Sequence, residues 1–313
     1  MEMAMVLGQQ VLTMLIYLLV GMVAYKAKIV TYEQSKGMSA MLMYILSPSM
    51  LLKAFKMEYQ QEKLVELLFS SVASIIAAAF LILLARYLFF KKDTSIAPIE
   101  RSCVAYTNSG YLAIPLISAT LGPEAVFYSC GFLSVFNFLV WTHCQRQMSG
   151  GRASINIKSI ITNPNLIAIT IGIILFRFNI KLPTIIDTAV SGFGNMVGPV
   201  ALFVIGITLA TMDLKQIFFN KRAYWVCFVR LGIAPALLIL FFKVLGISYW
   251  IANGSIVINT ILICSFAPVA VIITMFAQQY DLKADYASQL VSLSTILSIV
   301  SMPLMLFVAQ LIL

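Results

Sequence analysis

Charge is scarce in this sequence. Of 313 residues, 11% are Asp, Glu, Lys or Arg and 61% are hydrophobic, whereas soluble domains carry roughly 25% charged residues. A soluble fold has no means of covering that much apolar surface, so the water-soluble classes are excluded. Histidine is nearly absent too: His143 is the only one. Together with five scattered cysteines (Cys103, Cys130, Cys144, Cys227 and Cys264), it builds neither a nucleophile–base pair nor a metal-ligand set. No enzyme chemistry, metal or cofactor is therefore expected. Acids are missing from the middle of every apolar segment, since Glu100, Glu124, Asp213, Asp281 and Asp285 all lie near segment ends. An intramembrane carboxylate is the usual carrier of a proton relay, and none is evident. His143, also near a segment end, reads as interfacial. No polar stretch is long enough to fold alone. The start, Met1-Glu2-Met3-Ala4, lacks a basic n-region and no small-residue cleavage site follows, so the first apolar stretch is expected to persist as a span.

What the chain has instead is apolar runs of membrane length, about 20 residues each. Ten are read, at 7–25, 36–54, 64–90, 97–121, 123–145, 159–178, 184–211, 217–243, 250–279 and 284–312. The longest polar connection, 146–158, contains Gly150 and Gly151 and lies near the midpoint. It is expected to be a cytoplasmic linker between five-helix halves at 1–145 and 159–313. Loops after the odd-numbered segments hold 14 of the 21 basic residues, and those after the even-numbered ones hold six (Lys53, Lys56, Lys63, Arg177, Lys181 and Lys243). The positive-inside rule then puts the linker inside and both termini outside. Five spans per half make the halves opposite in orientation, an inverted repeat. The net charge of +9 thus belongs to membrane topology and implies no nucleic-acid partner.

Segment four reads Tyr106-Thr107-Asn108-Ser109-Gly110-Tyr111-Leu112-Ala113-Ile114-Pro115. Pro115 lacks a backbone donor and clashes with the carbonyl four residues back, so a break or kink is expected where Asn108, Ser109 and Gly110 stand. Freed backbone groups must face protein or a wet cavity, and half-helix N-termini offer positive dipole ends to anions. The plainer alternative is a kink with Asn108 as interhelical glue, worth ~0.6–2 kcal/mol. Segment nine repeats the pattern with Asn259-Thr260 and Ser265-Phe266-Ala267-Pro268. Ser47-Pro48-Ser49 and Gly198-Pro199 form a second proline pair at nearly the same offset. Arg230 lies roughly 12 Å beyond Arg222 along a helix, with no acid in its own segment. It could attract an anion, bond to carbonyls exposed by an interrupted helix, or snorkel to an interface.

These residues carry a resemblance. Asn108 through Ala113-Ile114-Pro115-Leu116, then Leu121-Gly122, resembles the asparagine–glycine–x–proline signature of the auxin efflux carrier family, with Ala113 where that family usually has glycine. Ala267-Pro268 with Phe276-Ala277 and Tyr280, Arg230 through Pro235, and Ser292 to Pro303 are similar to later parts of it. The chain lacks the long cytoplasmic loop of the large plant members, which points to a compact, bacterial-type one. The resemblance implies an all-α integral membrane protein of ten spans, with helices four and nine crossed and interrupted. It also implies a substrate site beside the crossover against helices two and five. By position that site draws on Asn108, Pro115 and Pro268, with hydroxyls from Ser47 and Ser49. Asn137 is either a substrate contact or a packing hydrogen bond.

The function implied is secondary transport of a small organic anion, a mono- or dicarboxylate, across the cell membrane by alternating access. A sodium-coupled symporter or sodium/proton antiporter of the same ten-helix plan remains an alternative. So does a small-ligand membrane sensor, and a homodimer is left open.

Overall fold

The computed structural model describes residues 2–89, 95–153, 157–211 and 220–313. Lys91, Lys92, Asp213 and Lys215, used in the sequence reading, lie outside these. Helices account for each of the ten apolar segments. In order they are α1 (Glu2–Lys26), α2 (Tyr32–Met41), α3 (Ser47–Ala54), α4 (Gln61–Leu88), α5 (Ala97–Ala105), α6 (Ser109–Thr120) and α7 (Pro123–Leu139). The later ones are α8 (Pro164–Arg177), α9 (Thr184–Asn195), α10 (Val197–Thr211), α11 (Lys221–Phe228), α12 (Ala234–Leu245), α13 (Gly254–Phe266), α14 (Ile272–Gln279) and α15 (Ala284–Ile312). Turns of π-helix at Leu42–Leu46, Val140–Cys144 and Val229–Ile233 keep neighbouring pieces continuous. Six runs among the described residues are long and apolar enough to cross a bilayer: Gly8–Lys26, Gln61–Leu88, Pro123–Met148, Thr184–Thr211, Lys221–Leu245 and Ala284–Ile312. α6, α8 and α13 are apolar but shorter.

Burial runs opposite to that of a soluble helix. In α4 the buried face is Ser70, Ala73, Ser74, Ala77, Ala78, Leu81 and Ala85, while Leu68, Val72, Ile75 and Leu83 point outward at half exposure or more. Lipid is as apolar as leucine, so association comes from close backbone packing and interhelical hydrogen bonds, which favour small residues inside. The pattern continues elsewhere. A side chain at Gly21 of α1 would collide with the Phe203 carbonyl of α10, and one at Gly206 with the Leu18 carbonyl. Gly131 of α7 admits Ser70, whose hydroxyl donates to the Tyr128 carbonyl (2.5 Å).

Two ionic clusters pin helix ends. Glu66 accepts from the Tyr128 hydroxyl (2.5 Å) and Asn253 Nδ2 (2.6 Å), and lies 3.4 Å from Lys63, which also pairs with Glu124. Glu100 accepts from Arg222 Nε (2.6 Å) and Nη2 (2.9 Å) and from the Tyr286 hydroxyl (2.8 Å). Both carboxylates are buried. They sit near helix ends, as the sequence reading expects of acids, yet neither is a solvated loop charge.

Candidate functional site

The chain between α5 and α6 is unwound at 106–108, and that between α13 and α14 at 267–271. These stretches cross and pair. Thr107 and Val269 form an antiparallel bridge, in which Asn108 N–H donates to the Pro268 carbonyl (2.8 Å) and Ala270 N–H to the Tyr106 carbonyl (3.2 Å). Val269 N–H donates to Ser294 Oγ of α15 (3.1 Å). Backbone groups freed by the breaks are thus satisfied within protein, as an apolar surrounding demands.

Arg230 is fully buried beneath this crossing. Its Nη1 donates to the Val104 carbonyl (2.8 Å), Nη2 to those of Ser265 (2.7 Å) and Ala267 (2.6 Å), and Nε to Ala267 (3.2 Å). Val104 and Ser265 lie in the last turns of α5 and α13, whose carbonyls have no intrahelical donors. Each helix C-terminus carries about −0.5 elementary charge, so one guanidinium balances the two. Of the three roles open from sequence, the bonds to exposed carbonyls are the observed ones.

Proline chemistry alone does not locate the break. Pro115 lies inside α6, well past the break, and Ser109 and Gly110 are already helical. Pro268, in contrast, is in the unwound stretch itself. The two prolines are therefore not equivalent about the crossing: Thr107 pairs with Val269, 162 residues on. Proline removes one donor, but a pairing partner across the crossing and an arginine at the helix ends decide where the helix opens.

The other nominated residues divide by their partners. Asn108 precedes α6, half-buried, and its side chain makes no hydrogen bond among the described residues. Gly110 has ordinary clearance to Leu133. Ser47 Oγ donates to Asn165 Oδ1 (2.9 Å), Ser49 Oγ to the Ile45 carbonyl (2.7 Å) and Asn137 Nδ2 to the Leu133 carbonyl (2.7 Å). That bond of Asn137 stays within its own helix. Asn259 Nδ2 donates to the Ser255 carbonyl (2.9 Å). Asn259 Oδ1, Ser265 Oγ and Thr107 Oγ1 are buried without partners among the described residues. His143 is less peripheral than its position suggested: Nδ1 lies 2.6 Å from the Tyr106 hydroxyl, at the edge of the crossing.

A cavity of about 1010 Å³ is walled by α1, α3, Ile114, Pro115 and Ser118 of α6 and the α9–α10 run, and no residue of the two unwound stretches lines it. Of the residues nominated from sequence it touches Pro115 alone, and Lys53, Asn195 and Tyr17 were not foreseen as lining it. Gly194 brings α9 to 3.0 Å from the Met50 Cα, measured from where a Cβ would stand, and Gly198 seats the Pro115 ring at 3.1 Å. The Gly198-Pro199 motif, singled out only for its spacing, was the available signal for this wall. Lysines at the end of segment two were read as topology markers alone.

An all-helical chain with outward apolar faces, two crossed unwound stretches and a wide cavity between its helices has the build of a multi-pass membrane protein. Residues 6–306 match the membrane transport protein family, and the chain belongs to it. An uncharacterized transporter of Methanothermobacter thermautotrophicus is 31% identical over 208 residues, 64% of each chain. Auxin efflux carrier component 1 of Arabidopsis thaliana is 24% identical over 42% of this chain and 21% of its own length. A Rhizobium meliloti protein described as a provisional malonate transporter is 22% identical over 74% of this chain and 73% of its own. The matched stretches thus span less than two thirds of the first two relatives.

Proposed function

We propose that this protein is a secondary transporter that moves a small organic anion, an auxin-like acid or another mono- or dicarboxylate, across the cell membrane by alternating access. The crossing of the two unwound stretches carries this reading, and the 1010 Å³ cavity reached through Ile114, Pro115 and Ser118 of α6 supports it. In it, ten spans form two inverted five-helix repeats, 1–145 and 159–313, joined by a cytoplasmic linker at 146–158. The antiparallel sense of the Thr107–Val269 bridge supports the inversion, because equivalent stretches of inverted halves run in opposite directions. Arg230 occupies the C-terminal ends of α5 and α13, which leaves the positive N-terminal ends of α6 and α14 on the substrate side. Asn108, Ser109 and Gly110 stand there, with Pro268 facing them. The malonate and auxin names of the relatives support a carboxylate. An inside-negative potential supplies about 2.3 kcal/mol per 100 mV to a departing monovalent anion, so export needs no coupling ion.

Three buried oxygens without partners among the described residues, Thr107 Oγ1, Ser265 Oγ and Asn259 Oδ1, favour a second reading, sodium coupling near the crossing. Flux in proteoliposomes over a carboxylate panel, with potential, pH gradient and sodium set independently, tests both. Potential-driven flux of an acid, unchanged when choline replaces sodium, is expected. Sodium/proton exchange without flux of any organic anion would overturn the first reading.

A further inference from the structure

Three lysines line the cavity, and their partners differ in kind. Lys56 pairs with Asp187, and Lys63 with Glu124 and Glu66. Lys53 of α3 has instead a neutral partner across the cavity wall: Nζ donates to Asn195 Oδ1 at the end of α9 (2.6 Å). Among the described residues no carboxylate lies within ion-pair reach of Lys53. An ammonium has three donors, and one amide oxygen satisfies one of them without compensating the charge. The same geometry orients the amide. Its oxygen must face the donor-only ammonium, so its NH₂ is left to donate, and Asn195 Nδ2 makes no hydrogen bond among the described residues. Two further N–H groups on Lys53 and the amide of Asn195 therefore stand side by side, positively charged overall, in a cavity of ligand size. Glu58, the remaining lining charge, is on the exposed connection after α3 and beyond ion-pair reach of Lys53.

We propose that Lys53 and Asn195 form the carboxylate-recognition end of this cavity. One carboxylate of the substrate docks on Lys53 Nζ and Asn195 Nδ2, with the substrate's apolar body toward Met50, Pro115 and Leu202. The inference rests on the organic-anion reading above and assigns that site's charge selectivity to a pair of residues outside the crossing. Lysine on α3 and asparagine on α9 meet because Gly194 admits the Met50 backbone.

The test is uptake by the full chain in proteoliposomes, using labelled malonate and labelled indole-3-acetate. Lys53→Gln raises KM about tenfold or more for the acid the wild type carries, with kcat changed less. Lys53→Arg stays within about threefold, because charge and donors persist. Asn195→Asp is the sharper variant: it supplies a built-in carboxylate to Lys53 and abolishes uptake by occupying the site, while the protein remains monodisperse. Glu58→Gln leaves KM unchanged or lowers it. Wild-type flux with an unchanged KM in Lys53→Gln and full uptake by Asn195→Asp overturns this assignment alone. A wild type that carries no carboxylate overturns the parent reading with it.

Discussion

Arg230 donates to the carbonyl of Ala267 through both Nε (3.2 Å) and Nη2 (2.6 Å), joining a buried guanidinium on one helix to the first unwound residue of another. Its remaining bonds reach the ends of both half-helices, so the charge is compensated by peptide dipoles and, among the described residues, not by an acid.

Removing that donor fork is expected to be severe. Arg230→Met leaves three buried carbonyls unpaired at about 1–3 kcal/mol each, and monodisperse protein should be lost. Arg230→Lys keeps the charge but not the planar fork, and should fold with a lowered melting temperature. Size-exclusion profiles and thermal melts in detergent check both; a melt unchanged in Arg230→Met would show that the carbonyls find other donors.

The contact of α1 with α10 depends on glycine at two places. Gly206→Ala puts a methyl group against the Leu18 carbonyl, and the helices must separate at a cost of about 1–3 kcal/mol. Gly192→Ala, with open space around it, is the control and should melt as the wild type does. Equal melting temperatures for the two variants would contradict the close approach.

Asn108 separates site from scaffold, since its side chain holds nothing in place. Asn108→Ala should therefore fold and melt normally while KM for the transported acid rises about tenfold, the usual loss for a polar substrate contact. Normal transport kinetics would remove Asn108 from the substrate contacts.

Glu100 is buried and gripped by Arg222, which is itself half exposed. Arg222→Ala leaves that carboxylate with a single neutral donor, Tyr286, among the bonds described, and should cost about 1–3 kcal/mol, because solvent already screens the half-exposed arginine. Adding Glu100→Gln should restore much of the loss, because the uncompensated charge is gone. A double variant no more stable than Arg222→Ala would show that Glu100 carries little of the strain. Melting temperatures of the four-member cycle decide it.

Helix content and span positions were legible because lipid imposes a one-dimensional rule, a run of apolar residues long enough to cross. Segments 184–211 and 284–312 coincide with the observed helical runs to the residue. The interruption in segment four was legible at Asn108, but proline chemistry alone extended it into Ser109 and Gly110, which are helical. Glu66 escaped notice because nothing local marks it. Its partners Tyr128 and Asn253 are 62 and 187 residues away.

Composition and apolar run length by themselves determined that this chain is a helical membrane protein, because backbone satisfaction in an apolar medium leaves few other solutions. The polar residues ahead of Pro115 and Pro268 marked the two interrupted segments. Only the tertiary structure decided which groups complete those breaks and which line the cavity. Arg230 is a dipole neutraliser because two helix ends converge on it, and Lys53 stands without an acid because its neighbour across the wall is Asn195. Both facts are distances between residues far apart in the chain, and no local pattern encodes them.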